Sequence, residues 1–169
     1  MASLTPVQRL KATTLVRLFG LKSVPLIALV RPKVIEISAE QTEIVIPLNY
    51  LTRNHLGSMY FGTLAIGADL SVGLYPALAF EKARKEGKSV SYAFKSMKMS
   101  FLKRPDGDAH FTVKGSKLLE AFIEKVMTSD ERHEIPLPGV VTVPKKYGGE
   151  PVAEFELILS AKKKNKGQV

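Results

Sequence analysis

One carboxylate stands alone in the most apolar part of the sequence. Residues 59–80 contain a single charged side chain, Asp69, among 22 residues. A carboxylate in such surroundings can take a proton from water or attack an electrophilic carbon directly. The alternative is structural: because an unpartnered buried carboxylate is costly, Asp69 can simply bond a neighbouring polar group or a loop of a partner subunit. The residues alone leave both interpretations open.

The polar segment 49–58 precedes this stretch and supplies the other candidate groups. Asn54 can orient a water molecule or a carbonyl group. Gly57 closes the turn before Ser58, which we predict to be the N-cap of a long helix. Backbone N–H groups near Gly62, at the amino end of that helix, can stabilise a developing negative charge.

Metal and thiol chemistry are not expected. The chain has no cysteine, which excludes disulfides, thiolate metal ligands and cysteine nucleophiles. The three histidines, His55, His110 and His133, form no HExxH motif and no close pair, so we expect no metal cofactor. His55 is either a surface residue of the polar turn or part of the site, whereas His110 and His133 fall in predicted strands without a chemical role.

Other motifs for nucleophiles and phosphates are incomplete. No GxSxG sequence frames Ser58, which is therefore not a nucleophile elbow. Gly62 and Gly67 have the spacing of a P-loop, but Ala68 and Asp69 replace its Lys-Ser/Thr pair. No RNP-type sequence is present, and we expect no nucleic-acid partner.

The charge balance is strongly basic. The 169 residues carry 25 Lys and Arg against 16 Asp and Glu, a net charge of +9. These cations either form a solvated surface or attract an anionic ligand, a nucleic acid or a membrane surface. The first thirty residues have no small-residue cleavage site, so we expect a cytoplasmic protein. Residues 59–80 could cross a bilayer by length, but Asp69 near the middle would cost about 2.5–3.5 kcal/mol there, which favours a core helix over an integral membrane segment.

The periodicity predicts one α+β domain over residues 1–161 and a basic disordered tail over residues 162–169. The order is helix, two strands, long apolar helix, two strands, helix, two strands. We expect Pro76 to kink or divide the long helix, Ser116 to cap the next helix, and the prolines after Ile135 to mark an edge strand. Short turns make the strand pairs antiparallel, which favours one antiparallel sheet wrapped around the apolar helix, with open edges that promote dimerisation.

The element order, with the sequence NHLGSMYFG from Asn54 to Gly62, resembles the hotdog fold. It is most similar to hotdog proteins of unknown function related to the acyl-CoA thioesterases of phenylacetic-acid-degradation type. In those thioesterases a loop Asn precedes a His-Gly-Gly turn, and an acidic residue follows seven positions after the second Gly. Asn54, Gly62 and Asp69 match these positions, whereas Tyr60 and Phe61 replace the His and the first Gly. Lys95 and the segment FLKRPDGDAHF also resemble the family's third and fourth strands.

The resemblance implies a thioesterase that acts on an acyl-CoA or acyl-carrier-protein thioester, with no cofactor beyond the coenzyme A of the substrate. Its catalytic residues would be Asp69, as base or nucleophile, and Asn54. The implied substrate-binding residues are His55, Gly57, Tyr60, Phe61 and Gly62. The implied assembly is a homodimer or a dimer of dimers. The bulk of Tyr60 and Phe61 leaves a second possibility open, a hotdog protein that binds an acyl ligand without catalysis.

Overall fold

The computed structural model describes residues 4–38, 40–115 and 117–164, the side chain of residue 117 excepted. The predicted elements are present in the predicted order, with two additional short helices. The helices are α1 (Pro6–Ser23), α2 (Pro25–Leu29), α3 (Phe61–Lys85), α4 (Lys117–Thr128) and α5 (Pro144–Tyr147). The strands are β1 (Lys33–Ile37), β2 (Gln41–Ile46), β3 (Ser89–Phe101), β4 (Ala109–Lys114), β5 (His133–Thr142) and β6 (Pro151–Lys164).

The six strands form one sheet in the order β1-β2-β4-β5-β6-β3, and every pair is antiparallel. The helix α3 contacts all strands from β2 to β6, so the sheet wraps around it as the sequence predicts. The strands β1 and β3 are the outer strands of the sheet. The first helix, α1, packs beside β1, and α3 reaches the other outer strand, β3.

The core lies between the sheet and α3. In β2 and β6 every second residue is buried along most of the strand, because alternate side chains of a strand point to the same face. Examples are Ile44 and Ile46 in β2 and Leu157 and Leu159 in β6. Phe111 of β4 is also fully buried, and its ring occupies the space where a side chain at Gly67 of α3 would lie.

The long helix differs from prediction at its start and at its proline. It is continuous from Phe61 to Lys85, so Pro76 does not divide it, although the proline has no N–H to donate to the carbonyl of Val72. Its N-cap residue is Tyr60, without a side-chain hydrogen bond. The prediction that Ser58 caps this helix is wrong, because the hydroxyl of Ser58 bonds the side chain of Asn54 and the helix starts three residues later.

Within the described part of the chain, α3 is the one helix that is long and apolar enough to cross a membrane. Its most apolar window has a mean hydropathy of 1.4, and half of that window is buried inside the protein. Because five strands pack against α3, its apolar composition is that of a core helix.

The prolines of β5 do not place that strand at an edge of the sheet order. The strand lies between β4 and β6. However, its register with β4 covers only residues Val140 to Thr142, whereas its register with β6 starts at His133. Pro136 and Pro138 therefore lie in the part of β5 that pairs with one strand, where a missing N–H donor is tolerated.

The last strand is longer than the sequence predicts. Lys162 to Lys164 belong to β6 and pair with residues Ser89 to Ser91 of β3, so the predicted tail does not begin at residue 162. The lysine side chains do not prevent strand formation, because the hydrogen bonds between β6 and β3 join backbone groups and do not depend on the type of side chain. Residues 165–169 and the predicted cap Ser116 lie outside the described residues.

Candidate active site

Asp69 lies in the third turn of α3, on the side that faces the outer strand β3. A Cβ atom at Gly73, one turn further along, would lie 3.4 Å from the ring of Phe94 in β3. The rings of Phe80 and Tyr92 are 5.1 Å apart on the same side. The small residue at position 73 therefore lets β3 approach the helix backbone closely, on the side of α3 that also carries Asp69.

The carboxyl group of Asp69 is half-buried. Within the described residues, 4–38, 40–115 and 117–164, no group forms a hydrogen bond or an ion pair with it. Burial raises the pKa of Asp69 above its ordinary value, because the charged form loses hydration. The pKa of the Tyr92 phenol is also raised. Desolvation by burial is the largest cause, followed by the charge of Glu81 and then that of Asp69. The neighbouring polar group that the structural alternative requires is therefore absent from this part of the chain.

The strand beside Asp69 presents an open edge. The 13 residues of β3 pair with β6 on one side, and β3 is the terminal strand of the sheet. Three of its large side chains are exposed, Tyr92, Met97 and Phe101. The unpaired backbone groups of such an edge are ready to pair with another strand.

The loop before α3 is held by Asn54. Its side-chain carbonyl accepts the N–H groups of Leu56 at 2.9 Å and of Ser58 at 3.3 Å, and its amide donates to the Ser58 hydroxyl at 3.2 Å. Gly57 adopts a φ of 80°, a left-handed conformation that favours glycine in this turn. The structure thus gives Asn54 a role in shaping the loop, and the catalytic role implied by the resemblance remains a prediction.

Two aromatic residues surround the start of α3. The rings of Tyr60 and Phe61 are 4.7 Å apart, and both side chains are about half exposed. A Cβ atom at Gly62 would lie 2.6 Å from the ring of Tyr60, so the glycine lets that ring lie against the first turn. The helix has no side-chain cap, and its first N–H groups, at Phe61 and Gly62, precede any helical carbonyl that could accept them.

A surface cavity of about 560 Å³ brings four of the predicted site residues together: Asn54, His55, Tyr60 and Phe61. Its other wall is formed by the end of β3 and the residues that follow it, namely Phe101, Leu102, Lys103, Arg104 and Pro105. The guanidinium of Arg104 donates to the carbonyl of Leu56 at 2.6 Å and ties the two walls together. From the sequence, the run FLKRP supports only the resemblance in the third and fourth strands and does not predict this wall.

The remaining predicted residues lie elsewhere. Gly57 and Gly62 do not line this cavity, and neither does Asp69. Asp69 follows Gly62 by seven residues, a rise of about 10 Å along a helix. Within one chain, the carboxylate and the free N–H groups of the helix start are therefore well separated.

The described residues contain no group of three His, Cys, Asp or Glu side chains that could hold a metal ion. His110 lies in β4, where its Nδ1 is 2.8 Å from the carboxylate of Glu43 in β2. His133 begins β5. His55 alone among the histidines lines the cavity at the start of α3.

The sequence matches the model of one protein family over residues 12–156, that of the "Domain of unknown function (DUF4442)". The chain belongs to this family. No curated protein matches the sequence of this DUF4442 protein. Its structure, by contrast, is similar to many solved structures.

A protein of unknown function from Pseudomonas aeruginosa, described as a "Probable Thioesterase", has a TM-score of 0.72 at 20% identity, over 90% of this chain and 96% of that one. A protein of unknown function from Chlorobaculum tepidum has a TM-score of 0.72 at 15% identity, over 97% of this chain and 100% of that one. A thioesterase from Haemophilus influenzae has a TM-score of 0.64 at 15% identity, over 89% and 92%. The DUF4442 protein therefore has the hotdog fold, as its sequence predicts.

Proposed function

We propose that this DUF4442 protein hydrolyses a thioester of coenzyme A or of an acyl carrier protein, with Asp69 as base or nucleophile. The observation that carries the proposal is the carboxylate itself: it is half-buried on the central helix, faces an open sheet edge and forms no hydrogen bond within the described chain. A structural carboxylate would be expected to have a partner. The thioesterases among the similar structures support the same reaction class. We expect it to act in the cytoplasm.

The first requirement of the reaction is a base, and Asp69 supplies it. As a base, Asp69 takes a proton from a water molecule while the water oxygen attacks the thioester carbon. The carbon–sulfur bond then breaks, the proton passes to sulfur, and the products are a carboxylic acid and a free thiol. Burial assists this role, because a raised pKa makes the carboxylate of Asp69 a stronger base.

The oxyanion of the tetrahedral intermediate needs donors that one chain does not place beside Asp69. The free N–H groups of Phe61 and Gly62 suit this purpose, but they lie about 10 Å away along α3. The attacking oxygen and the oxyanion are bonded to the same carbon, so base and donors must meet within a few ångströms. We therefore infer that a second copy, paired through β3, brings the start of its α3 to the Asp69 of the first.

The test is a thioester hydrolysis assay that measures free thiol release from acyl-CoA substrates over a range of chain lengths. Asp69→Asn keeps the shape of the side chain and removes the base, so we expect it to lose at least about a hundredfold in turnover. Asp130→Asn is the matched control, because Asp130 is an exposed acid paired with Lys163 and should leave turnover unchanged. Equal turnover of wild type and Asp69→Asn would exclude this assignment.

A second candidate function is binding of an acyl ligand without hydrolysis. It is favoured by the ring of Tyr60, which lies over Gly62. In the thioesterases that the chain resembles, a histidine and a glycine stand at the positions of Tyr60 and Phe61. This function predicts acyl-CoA binding by calorimetry with no thiol release. If the protein neither binds nor cleaves acyl-CoA, the second function is excluded. Repeating both assays with acyl-carrier-protein thioesters determines which of the two carriers the protein uses.

A further inference from the structure

The first two helices expose an unusual number of large apolar side chains. Along α1 and α2 nine of them are between 40% and 68% exposed: Val7, Leu10, Leu15, Leu18, Phe19, Leu21, Val24, Leu26 and Leu29. We call these residues the N-terminal face. Single exposed leucines are common on protein surfaces, but a contiguous group of this size marks a site of interaction.

The orientation of this face is fixed by the opposite side of α1, which packs on the fold. Thr13, Val16 and Gly20 are the buried residues of the helix. The hydroxyl of Thr13 accepts the N–H of Val34 in β1 at 2.9 Å, and Arg17 donates to the carbonyls of Pro32 and Arg31. Because these bonds hold α1 against the start of β1, the helix cannot rotate its leucines into the core.

The charged residues of the N-terminal segment itself have one sign. Residues 4–33 contain six cations, Arg9, Lys11, Arg17, Lys22, Arg31 and Lys33, and no acidic residue. Lys11 and Lys22 are exposed on the outward side of α1, among the leucines. A second copy of the same face would place like charges opposite each other, which is unfavourable. An anionic surface with an apolar interior matches both the charge and the exposed side chains.

We infer that the N-terminal face docks this protein on membranes that contain anionic lipids. Helix α1 lies in the plane of the interface, with its leucines among the acyl chains and Lys11 and Lys22 at the level of the headgroups. The face lies beside β1, and β1 and β3 are opposite ends of the sheet order. The N-terminal face contains no residue of β3 and none of the proposed catalytic residues, so the inference is independent of the proposed reaction.

The experiment is flotation of the full chain with vesicles. At low salt, the wild type should float with phosphatidylcholine vesicles that contain about 30% phosphatidylglycerol, and at least about tenfold less with pure phosphatidylcholine or in about 0.5 M salt. The double variant Leu10→Ser/Leu18→Ser removes apolar contacts, and Lys11→Glu/Lys22→Glu reverses charge. Each should lower the floating fraction at least about tenfold.

Matched controls come from exposed residues elsewhere. Leu118→Ser changes a leucine of α4 that is 72% exposed, and Lys85→Glu/Lys145→Glu makes the same change in net charge on α3 and α5. Both should float as the wild type does. The inference is overturned if the wild type does not float at low salt, or if the controls fall as far as the test variants. It is also overturned if Leu10→Ser/Leu18→Ser dissociates an oligomer in lipid-free sedimentation, which would assign the face to self-association.

Discussion

The carboxyl group of Asp69 combines two properties that most acids in this chain lack, burial and the absence of a hydrogen-bond partner within the described residues. Other acids are paired: Glu134 with Lys95, Asp106 with Lys146, and Glu81 with Arg84. These pairs involve exposed lysine or arginine side chains, and such pairs contribute little to stability. Because burial disfavours its charged form, the ionised carboxylate of Asp69 lowers the stability of the fold. A residue that lowers stability is more readily explained by a role in a reaction than by a role in folding.

The pH dependence of stability should report this cost. Because the pKa of Asp69 is raised in the folded state, the folded chain binds more protons than the unfolded chain between the ordinary value of 3.8 and the raised value. Stability therefore falls as the pH rises through that window, and the loss persists at neutral pH. Asp69→Asn should unfold at a higher temperature than the wild type at pH 7, with the difference shrinking as the pH approaches 3.8.

Thermal unfolding of both proteins across this pH range measures the effect, with Asp130→Asn as the control. The difference between variant and wild type isolates Asp69, since distant titrating groups contribute equally to both. A variant that is less stable than the wild type at pH 7 would mean that the Asp69 carboxylate has a favourable partner.

The residues of the candidate site were predictable to different extents. The polar loop and the aromatic pair were recognisable from the sequence, and Asn54, His55, Tyr60 and Phe61 do line one cavity. The absence of Asp69 from that cavity could not be predicted, because the resemblance gives positions in the chain and not the surfaces that fold beside them. Ser58 was misassigned as the cap because its hydroxyl had a nearer partner in Asn54.

At the scale of elements, the contact between α3 and the sheet depends on Gly67. A Cβ atom there would overlap the buried ring of Phe111, which has little room to move. Gly73 is the matched position in the same helix, where a Cβ atom would meet the Phe94 ring at an ordinary 3.4 Å. Packing therefore requires a glycine at position 67, whereas position 73 has room for the methyl group of an alanine.

We expect Gly67→Ala to lower the free energy of unfolding by about 1–3 kcal/mol, the usual cost of overpacking a core. Gly73→Ala should be neutral or should raise it by up to about 1 kcal/mol, because alanine is the better helix former. Urea unfolding of the two variants and the wild type makes the comparison. Equal destabilisation by both substitutions would contradict the packing assigned to Gly67.

The order of the elements followed from periodicity, because alternation and helical spacing are local properties of the sequence. What periodicity could not give was the pairing of strands distant in the chain. Thus β5 lies inside the sheet order although its prolines suggested an edge, and Lys162 to Lys164 are strand residues because β3 offers them a ladder. The ladder between β6 and β3 joins residues that are more than 40 positions apart in the chain, and the place of β5 depends on its register with its neighbours. A local sequence pattern encodes neither.

At the scale of the whole molecule, the open edge of β3 predicts a dimer. Sedimentation velocity should detect a dimer of the wild type at micromolar concentration, the range of ordinary specific interfaces. Met97→Glu, which places a charge among the exposed side chains of β3, should raise the dissociation constant at least about tenfold. Leu118→Glu on α4 is the control and should not change it. Persistence of the dimer in Met97→Glu would locate the interface elsewhere.

We expect the proline of the central helix to weaken the coupling between the two halves of the helix, although the helix is continuous. Since Pro76 removes one bond of the backbone ladder, the turns after it are tied less firmly to the turns before it. The segment up to residue 75, which carries Asp69 and meets Phe111, can keep its amides protected from hydrogen exchange while the segment from residue 77 opens by partial unfolding. Fluctuations at the lysine-rich end of the helix can then occur without displacing the acid.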